Sequence, residues 1–194
     1  AYTFDVICDY DAFISAVNQT VKLKSIDLIV MGTNGATGAK EVIFGSNTIS
    51  VIRNVDRPVL VIPQKYKFRK PKRILFATEY DELFVEKSLR PLTYILSNYS
   101  AELEILMIEN IKSVEQNRDK KEKIDEFYKG TKHNFYTISD VSADIAIGSF
   151  VQINNVDLVA KIINKESFFK RLLSKSSMSE LTYKTKVPLL IMHS

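Results

Sequence analysis

Two kinds of polarity pattern alternate along the chain. Short, mostly apolar runs recur: DLIVM (27–31), PVLVI (58–62), ILFAT (74–78), LEILMIE (103–109), DLVAKI (157–162) and PLLIM (188–192). Between them lie longer stretches in which apolar residues return every three or four positions. The first pattern predicts strands, and runs as continuous as DLIVM and PVLVI predict strands buried on both faces. The second predicts helices with one apolar face. On this reading residues 4–8, 27–31 and 59–62 are strands, with helices over 11–24 and 46–54. Further along, strands are expected at 74–78, 103–109, 135–139, 157–162 and 188–192.

The intervening helices are read from the same periodicity. DELFVEKSLRPLTYILSNYS (81–100) places Leu89, Leu92, Leu96 and Tyr99 at helical spacing. Pro91 is unsuited to a helix interior and predicts an early-turn position or a kink. EQNRDKKEKIDEFYKG (115–130) predicts a highly charged, exposed helix, and two more are expected over 142–154 and 168–184. Strands alternating with helices argue for a parallel sheet covered on both faces.

The chain also repeats itself. DLIVMGTNGATGAKEVIFGSNTISVIRNVDRPVLVIP starts at Asp27, and DLVAKIINKESFFKRLLSKSSMSELTYKTKVPLLIMH starts at Asp157. They align without a gap at an offset of 130: Asp27 with Asp157, Lys40 with Lys170, Ser46 with Ser176, Pro58 with Pro188, Leu60 with Leu190. Upstream, FDVICDYDAFI (4–14) resembles FYTISDVSADI (135–145) with one residue of slippage. A period this long means two copies of a domain rather than a solenoid. The second copy is expected to start near Lys72. The same offset would start the first copy before Ala1, so the chain is read as the C-terminal half of one domain (1–63), a basic linker (64–71) and one complete domain (72–194). About 60 residues with half a sheet are too few to bury a core alone. Residues 1–63 are therefore expected to lean on the second domain, on another chain, or on both.

Glycine is concentrated directly after DLIVM. Four of the chain's six glycines lie in GTNGATGAKEVIFGSNT (32–48). In an open parallel sheet the carboxyl ends of the strands form the ligand edge. Glycine there lets a ligand approach main-chain N–H groups. Helical pattern resumes after Gly45-Ser46-Asn47-Thr48, residues suited to a helix N-terminus, where free N–H groups attract anions. Neither GxxxxGK[ST] nor GxGxxG is present. A tight strand-to-helix turn with no ligand is the bland alternative.

The arrangement Gly32-x2-Gly35-x9-Gly45-Ser46, set between DLIVMG and PVLVIP, resembles the universal stress protein family. The similarity is dense over 27–63 and weaker over 72–194. The resemblance implies a doubly wound, five-stranded parallel sheet of order 3-2-1-4-5, of the adenine nucleotide alpha hydrolase-like kind, in a tandem arrangement. Many members bind ATP, and others lack the motif and do not. Carried over by position, Gly32 and Gly35 would border the ribose and phosphates, and Gly45 and Ser46 would contact the phosphates. Asn47 and Thr48 would lie beside them, with Met31 near the adenosine and Mg²⁺ accompanying the ATP. The family also places an Asp after the first strand to hold adenine. In the second copy that place reads Ala77-Thr78-Glu79-Tyr80-Asp81, out of the usual register.

The second copy has lost the loop. Ile162, Lys165 and Lys175 stand where Gly32, Gly35 and Gly45 stand in the first, Phe168 stands opposite Gly38, and Ser176 alone survives. This site is expected to be closed to ATP. Lys161, Lys165, Lys170 and Arg171 read as a solvated basic face, with binding of another anion as the alternative.

Composition narrows the remaining classes. Net charge is +4, too mild for a nucleic-acid signature. QKYKFRKPKR (64–73) carries six Lys/Arg in ten and reads as the solvated linker rather than a binding patch. One cysteine, Cys8, permits no intrachain disulfide and fits a reducing cytoplasm. Two histidines, His133 and His193, without a Cys/His cluster, argue against a metal site, and both read as surface or strand-end residues. No apolar run is long enough to cross a membrane. No catalytic group suggests itself around the loop beyond Lys40 and Glu41, so hydrolysis would be slow at most. Two functions remain: an ATP-binding stress-response regulator, or a nucleotide-independent dimerisation or scaffold module. The strands 59–63 and 189–193 would be edge strands, expected near one another and expected to carry a homodimer.

Overall fold

The continuous apolar runs become strands of one sheet, all of them central except DLIVM, which ends the sheet half-exposed rather than buried on both faces as its polarity suggested. The structure, a computed structural model, describes residues 3–33, 45–79, 86–109, 114–164 and 186–194. In chain order the elements are α1 (Phe13–Leu23), β1 (Ile29–Gly32), α2 (Ser46–Asn54), β2 (Val59–Ile62), β3 (Arg73–Glu79), a 3₁₀ turn (Glu86–Leu89), α3 (Arg90–Tyr99), β4 (Glu102–Glu109), α4 (Val114–Phe127), β5 (His133–Ser139), α5 (Ala143–Asn154), β6 (Leu158–Ile163) and β7 (Leu189–His193). The helix expected over 168–184 lies outside the described residues.

The described strands form a single seven-stranded sheet in the order β1-β2-β7-β6-β3-β4-β5. Every pairing is parallel except that of β2 with β7. Within the second half, β7-β6-β3-β4-β5 is the expected 3-2-1-4-5 order, read from its other end. The sheet as a whole is larger than the five strands expected for one copy, because the first half adds β1 and β2 to it. Buried side chains divide between its two faces. Val51, Ile52, Ala146, Ile147 and Phe150 of α2 and α5 pack on one face. On the other, Leu92 and Leu96 of α3 and Ile124 of α4 do so.

The two segments that align in sequence share main-chain geometry. The Ile29 N–H donates to the Pro58 carbonyl at 3.0 Å, and the Val159 N–H donates to the Pro188 carbonyl at 3.0 Å. Ile29 pairs with Val59 as Val159 pairs with Leu189. Ser25, just past the Lys24 C-cap of α1, and Asn155, the C-cap of α5, are both in the left-handed region, at φ 50° and 49°. The junction of the two halves is antiparallel, with Val59 opposite Ile191, Leu60 opposite Leu190 and Val61 opposite Leu189. Leu60 and Leu190 are repeat equivalents, so a local twofold passes between them. The two C-terminal strands expected near one another thus pair directly within the chain. Each has a neighbour on both sides. A homodimer through these strands, the other expectation, would need free edges, and both edges are already taken.

Two further expectations change. Residues 4–8 are not a strand: they run exposed and irregular, with Phe4 88% and Val6 91% accessible. A strand needs a partner ladder, and no described strand lies beside this segment. The region before Pro91 is a 3₁₀ turn rather than α-helix, and Pro91 enters α3 in its first turn, where its missing N–H costs nothing.

Candidate nucleotide site

The parallel pairing of β1 and β2 puts their carboxyl ends on one edge of the sheet. The connection between them returns through α2, so α2 begins at that edge. Gly45 is its N-cap, extended at φ −62° and ψ 156°, and no side chain caps the helix. The Ile49 N–H donates to the Gly45 carbonyl at 3.1 Å and closes the first turn. The N–H groups of Ser46, Asn47 and Thr48 precede that bond and have no partner inside the helix. Ser46 and Asn47 are exposed, and Thr48 is buried. The helix dipole adds to the positive potential of these amides.

Gly32 ends β1 and is exposed. A Cβ built there would meet no atom within 4 Å. Thr33 continues the ladder one step further, its N–H donating to the Ile62 carbonyl at 2.9 Å. Met31 is half-buried and packs against the α2 side of the core. Met31, Gly32, Gly45, Ser46, Asn47 and Thr48 are therefore brought to one edge. Gly35 and Gly38 lie outside the described residues. The arrangement combines open space over one glycine with an uncapped helix start, which suits an anionic group held by main-chain donors. Among the described residues no three His, Cys, Asp or Glu side chains are grouped to hold a metal ion.

The equivalent place in the second half is filled. Lys161 stands at the repeat position of Met31, and its ammonium pairs with a carboxylate oxygen of Glu79 at the end of β3. Lys120, from α4, donates to the Glu79 carbonyl. Both ammonium-bearing residues are buried, each 8% accessible. Lys161 does not belong to a solvated basic face, as its charge had suggested. It sits in a strand buried on both sides, and an ammonium stays there because Glu79 meets it. Ile162, in place of Gly32, is buried as well. Glu79 falls in the segment where an acid was expected to face adenine, and its carboxylate is engaged by Lys161. Lys165, Phe168, Lys170, Arg171, Lys175 and Ser176 lie outside the described residues.

Sequence reasoning missed this Lys120–Glu79–Lys161 group. A single lysine inside the otherwise apolar DLVAKI was the available signal, since a buried lysine demands an acid nearby. Both histidines are at strand ends, as expected. His193 ends β7 with Nε2 3.0 Å from the Ile52 carbonyl. His133 opens β5 with Nε2 2.9 Å from Asp125 and Nδ1 2.7 Å from the Thr131 carbonyl. Burial disfavours the charged His133 ring, but the Thr131 carbonyl and Asp125 outweigh it and raise its pKa.

Residues 13–63 match the model of the universal stress protein family. That span runs from α1 through β2 and contains the whole candidate site. This segment is therefore similar to the universal stress protein family. Universal stress protein MJ0577 of Methanocaldococcus jannaschii is 43% identical over 42 residues, which are 22% of this chain and 26% of that protein. Universal stress protein MJ0531 of the same organism is 46% identical over 50 residues, 26% of each chain. The matched segment thus spans about a quarter of these relatives' length. A solved universal stress protein from Archaeoglobus fulgidus shares the fold over 92% of this chain and 65% of its own, with a TM-score of 0.72 at 15% identity. The fold likeness therefore reaches well beyond the segment that the universal stress protein model matches. No helix among the described residues is long and apolar enough to cross a membrane.

Proposed function

We propose that this chain is a universal stress protein that binds ATP, as MgATP, at the carboxyl edge of β1, and that the ligand tunes its conformation or its choice of partner in a stress response. The observation that carries this reading is the glycine-capped start of α2, whose first-turn amides share an edge with the open space over Gly32. Ser46, Asn47 and Thr48 would hold the phosphates through main-chain N–H groups, with the Ser46 hydroxyl beside them. Gly32 and Gly35 would border the ribose and phosphates, and Met31 the adenosine. The two halves are read as tandem domains, 1–63 and 72–194 joined by 64–71. The second carries no nucleotide, since Lys161, Glu79 and Ile162 occupy its edge. The protein acts in the cytoplasm and as a regulator rather than an enzyme.

A second reading, a scaffold that works without nucleotide, is favoured by one observation: β2 and β7 fuse the halves into one sheet by direct antiparallel pairing. Thermal denaturation with MgATP separates the two. Binding stabilises the native state by RT ln(1 + [L]/Kd), about 2.7 kcal/mol at a hundredfold excess over Kd. The shift should appear in the wild-type chain and vanish in Gly32→Val, whose Cβ meets no protein atom within 4 Å and whose bulk would fill ligand space. No shift at millimolar MgATP, together with no nucleotide released on denaturation, leaves the scaffold.

A further inference from the structure

The antiparallel seam decides what lies beside the first-half site. β7, β6 and β3 run parallel to one another and opposite to β1 and β2. The sheet edge that holds the carboxyl ends of β1 and β2 is therefore the amino edge of β7, β6 and β3. Residues 63–72 leave the carboxyl end of β2 and reach the amino end of β3. Two strands lie between, so the linker crosses about 14 Å of that edge. Arg69 marks its course, meeting Asp157 just ahead of β6 at 3.0 Å. The stretch with six Lys/Arg in ten thus sets out from the edge at which α2 begins.

Its first cation stands next to the site. Gly32 pairs with Ile62, and the Thr33 N–H donates to the Ile62 carbonyl at 2.9 Å. Pro63 follows at once and opens a four-residue turn, closed by the Tyr66 N–H on the Pro63 carbonyl at 3.1 Å. Lys65 is the third residue of that turn, at φ 65°. A type II turn favours glycine or asparagine there, because most side chains are strained at positive φ. The other described non-glycine residues at positive φ are Ser25, Ser100, Asp140 and Asn155, all short and polar. Nothing in the turn asks for a lysine. Lys65 is exposed, and its ammonium has no ion pair or hydrogen bond among the described residues.

The site beside it lacks charged side chains. Those described there, from Met31 to Thr33 and from Gly45 to Thr48, are all neutral. Helix-end amides amount to about half a positive charge. A single phosphate is within their means, and each further phosphate adds negative charge that they do not answer.

We propose that Lys65 reads the far end of the phosphate chain, pairing its ammonium with the terminal phosphate and so selecting a nucleoside triphosphate over a monophosphate. The inference rests on the nucleotide reading of the site and deepens it. The left-handed backbone at a lysine is then the strain of holding an ammonium at the rim of the site. The far part of the basic stretch remains linker, with Arg69 engaged by Asp157 and Lys70 carried on toward β3.

Titration calorimetry with MgATP and with AMP tests this. In Lys65→Gly the turn receives the residue it favours, so Tm should stay level or rise. ATP affinity should fall roughly three- to tenfold and AMP affinity by less than about twofold, so the preference for ATP narrows. Lys65→Asn, equally at home in the turn, should do the same, and Lys65→Arg should keep most of the preference. Lys70→Ser removes an equal charge farther along the linker and should leave the preference unchanged. A wild-type preference retained in both Lys65→Gly and Lys65→Asn overturns the inference. So does an equal loss in Lys70→Ser, since the linker's overall charge would then be acting. No ATP bound by the wild-type chain overturns the nucleotide reading itself, and this inference with it.

Discussion

Asp27 and Asp157 occupy the same place in two copies of one motif, and only the second does structural work. Asp157 is 9% accessible and holds two backbone amides and an arginine; Asp27 faces solvent. Leu28 and Leu158 differ in the same direction, as do Val30 and Ala160. Local sequence gave both halves the same helix, the same strand pairing and the same left-handed turn. What separates them is the neighbour on one side of a strand. Burial, and with it the energetic weight of a residue, is set by the ladder beside it rather than by the residue type.

Identical residues in equivalent places make the comparison easy to break. The largest effect is expected at the aspartates. Asp157→Ala should cost about 3 kcal/mol, since charge-assisted bonds are lost and buried amides are left unpaired, while Asp27→Ala should stay within about 0.5 kcal/mol. Urea denaturation of the two variants measures both. Equal losses would mean that Asp27 already has a partner in solution. The leucines come next: Leu158→Ala should cost roughly 3 kcal/mol and Leu28→Ala clearly less, near 1 kcal/mol.

The buried group of the second half gives a third contrast. Lys161→Met leaves the Glu79 carboxylate without its ammonium, and a loss of roughly 2–3 kcal/mol is expected. Pairing it with Glu79→Gln should return part of that loss, because the uncompensated charge is gone. A double variant no better than the single would show that the carboxylate is satisfied elsewhere. The smallest effect is at His133. Its folded pKa is raised, so the native state binds the proton more tightly than the unfolded chain does. Its contribution is fully present below the unfolded value of about 6.5 and is lost as pH rises through the higher folded value. His133→Gln should therefore weaken the protein at pH 5.5 and leave it nearly unchanged at pH 9. Melting curves across that range would refute this by showing a constant difference.

Much of the fold was legible because its signals are local. The helix at 46–54 and the strand at 59–62 emerge with the boundaries read from the sequence, since a glycine-serine start and an uninterrupted apolar run mark them. Pro91 marked the first turn of α3 for the same reason. The glycine spacing of the first half was legible after an apolar run, and its described members Gly32 and Gly45 stand at the end of β1 and at the start of α2. The failures are all non-local. Residues 4–8 carry a strand's polarity, but polarity does not reveal whether a partner strand is present. Lys161 reads as a surface charge until β3 brings Glu79 beside it from 82 positions away. Asp27 and Asp157 are the same letter in the same context, and no reading of either segment alone separates them.

The antiparallel seam at Leu60 and Leu190 has a practical corollary. The exposed stretch between Gln64 and Lys70 is a covalent tether, while cohesion comes from main-chain bonds on both sides of the seam. A protease nick there would cut the polypeptide without parting the molecule. Two bands on a denaturing gel would travel as a single species through a native sizing column, and the loop would be seen to set effective concentration rather than architecture.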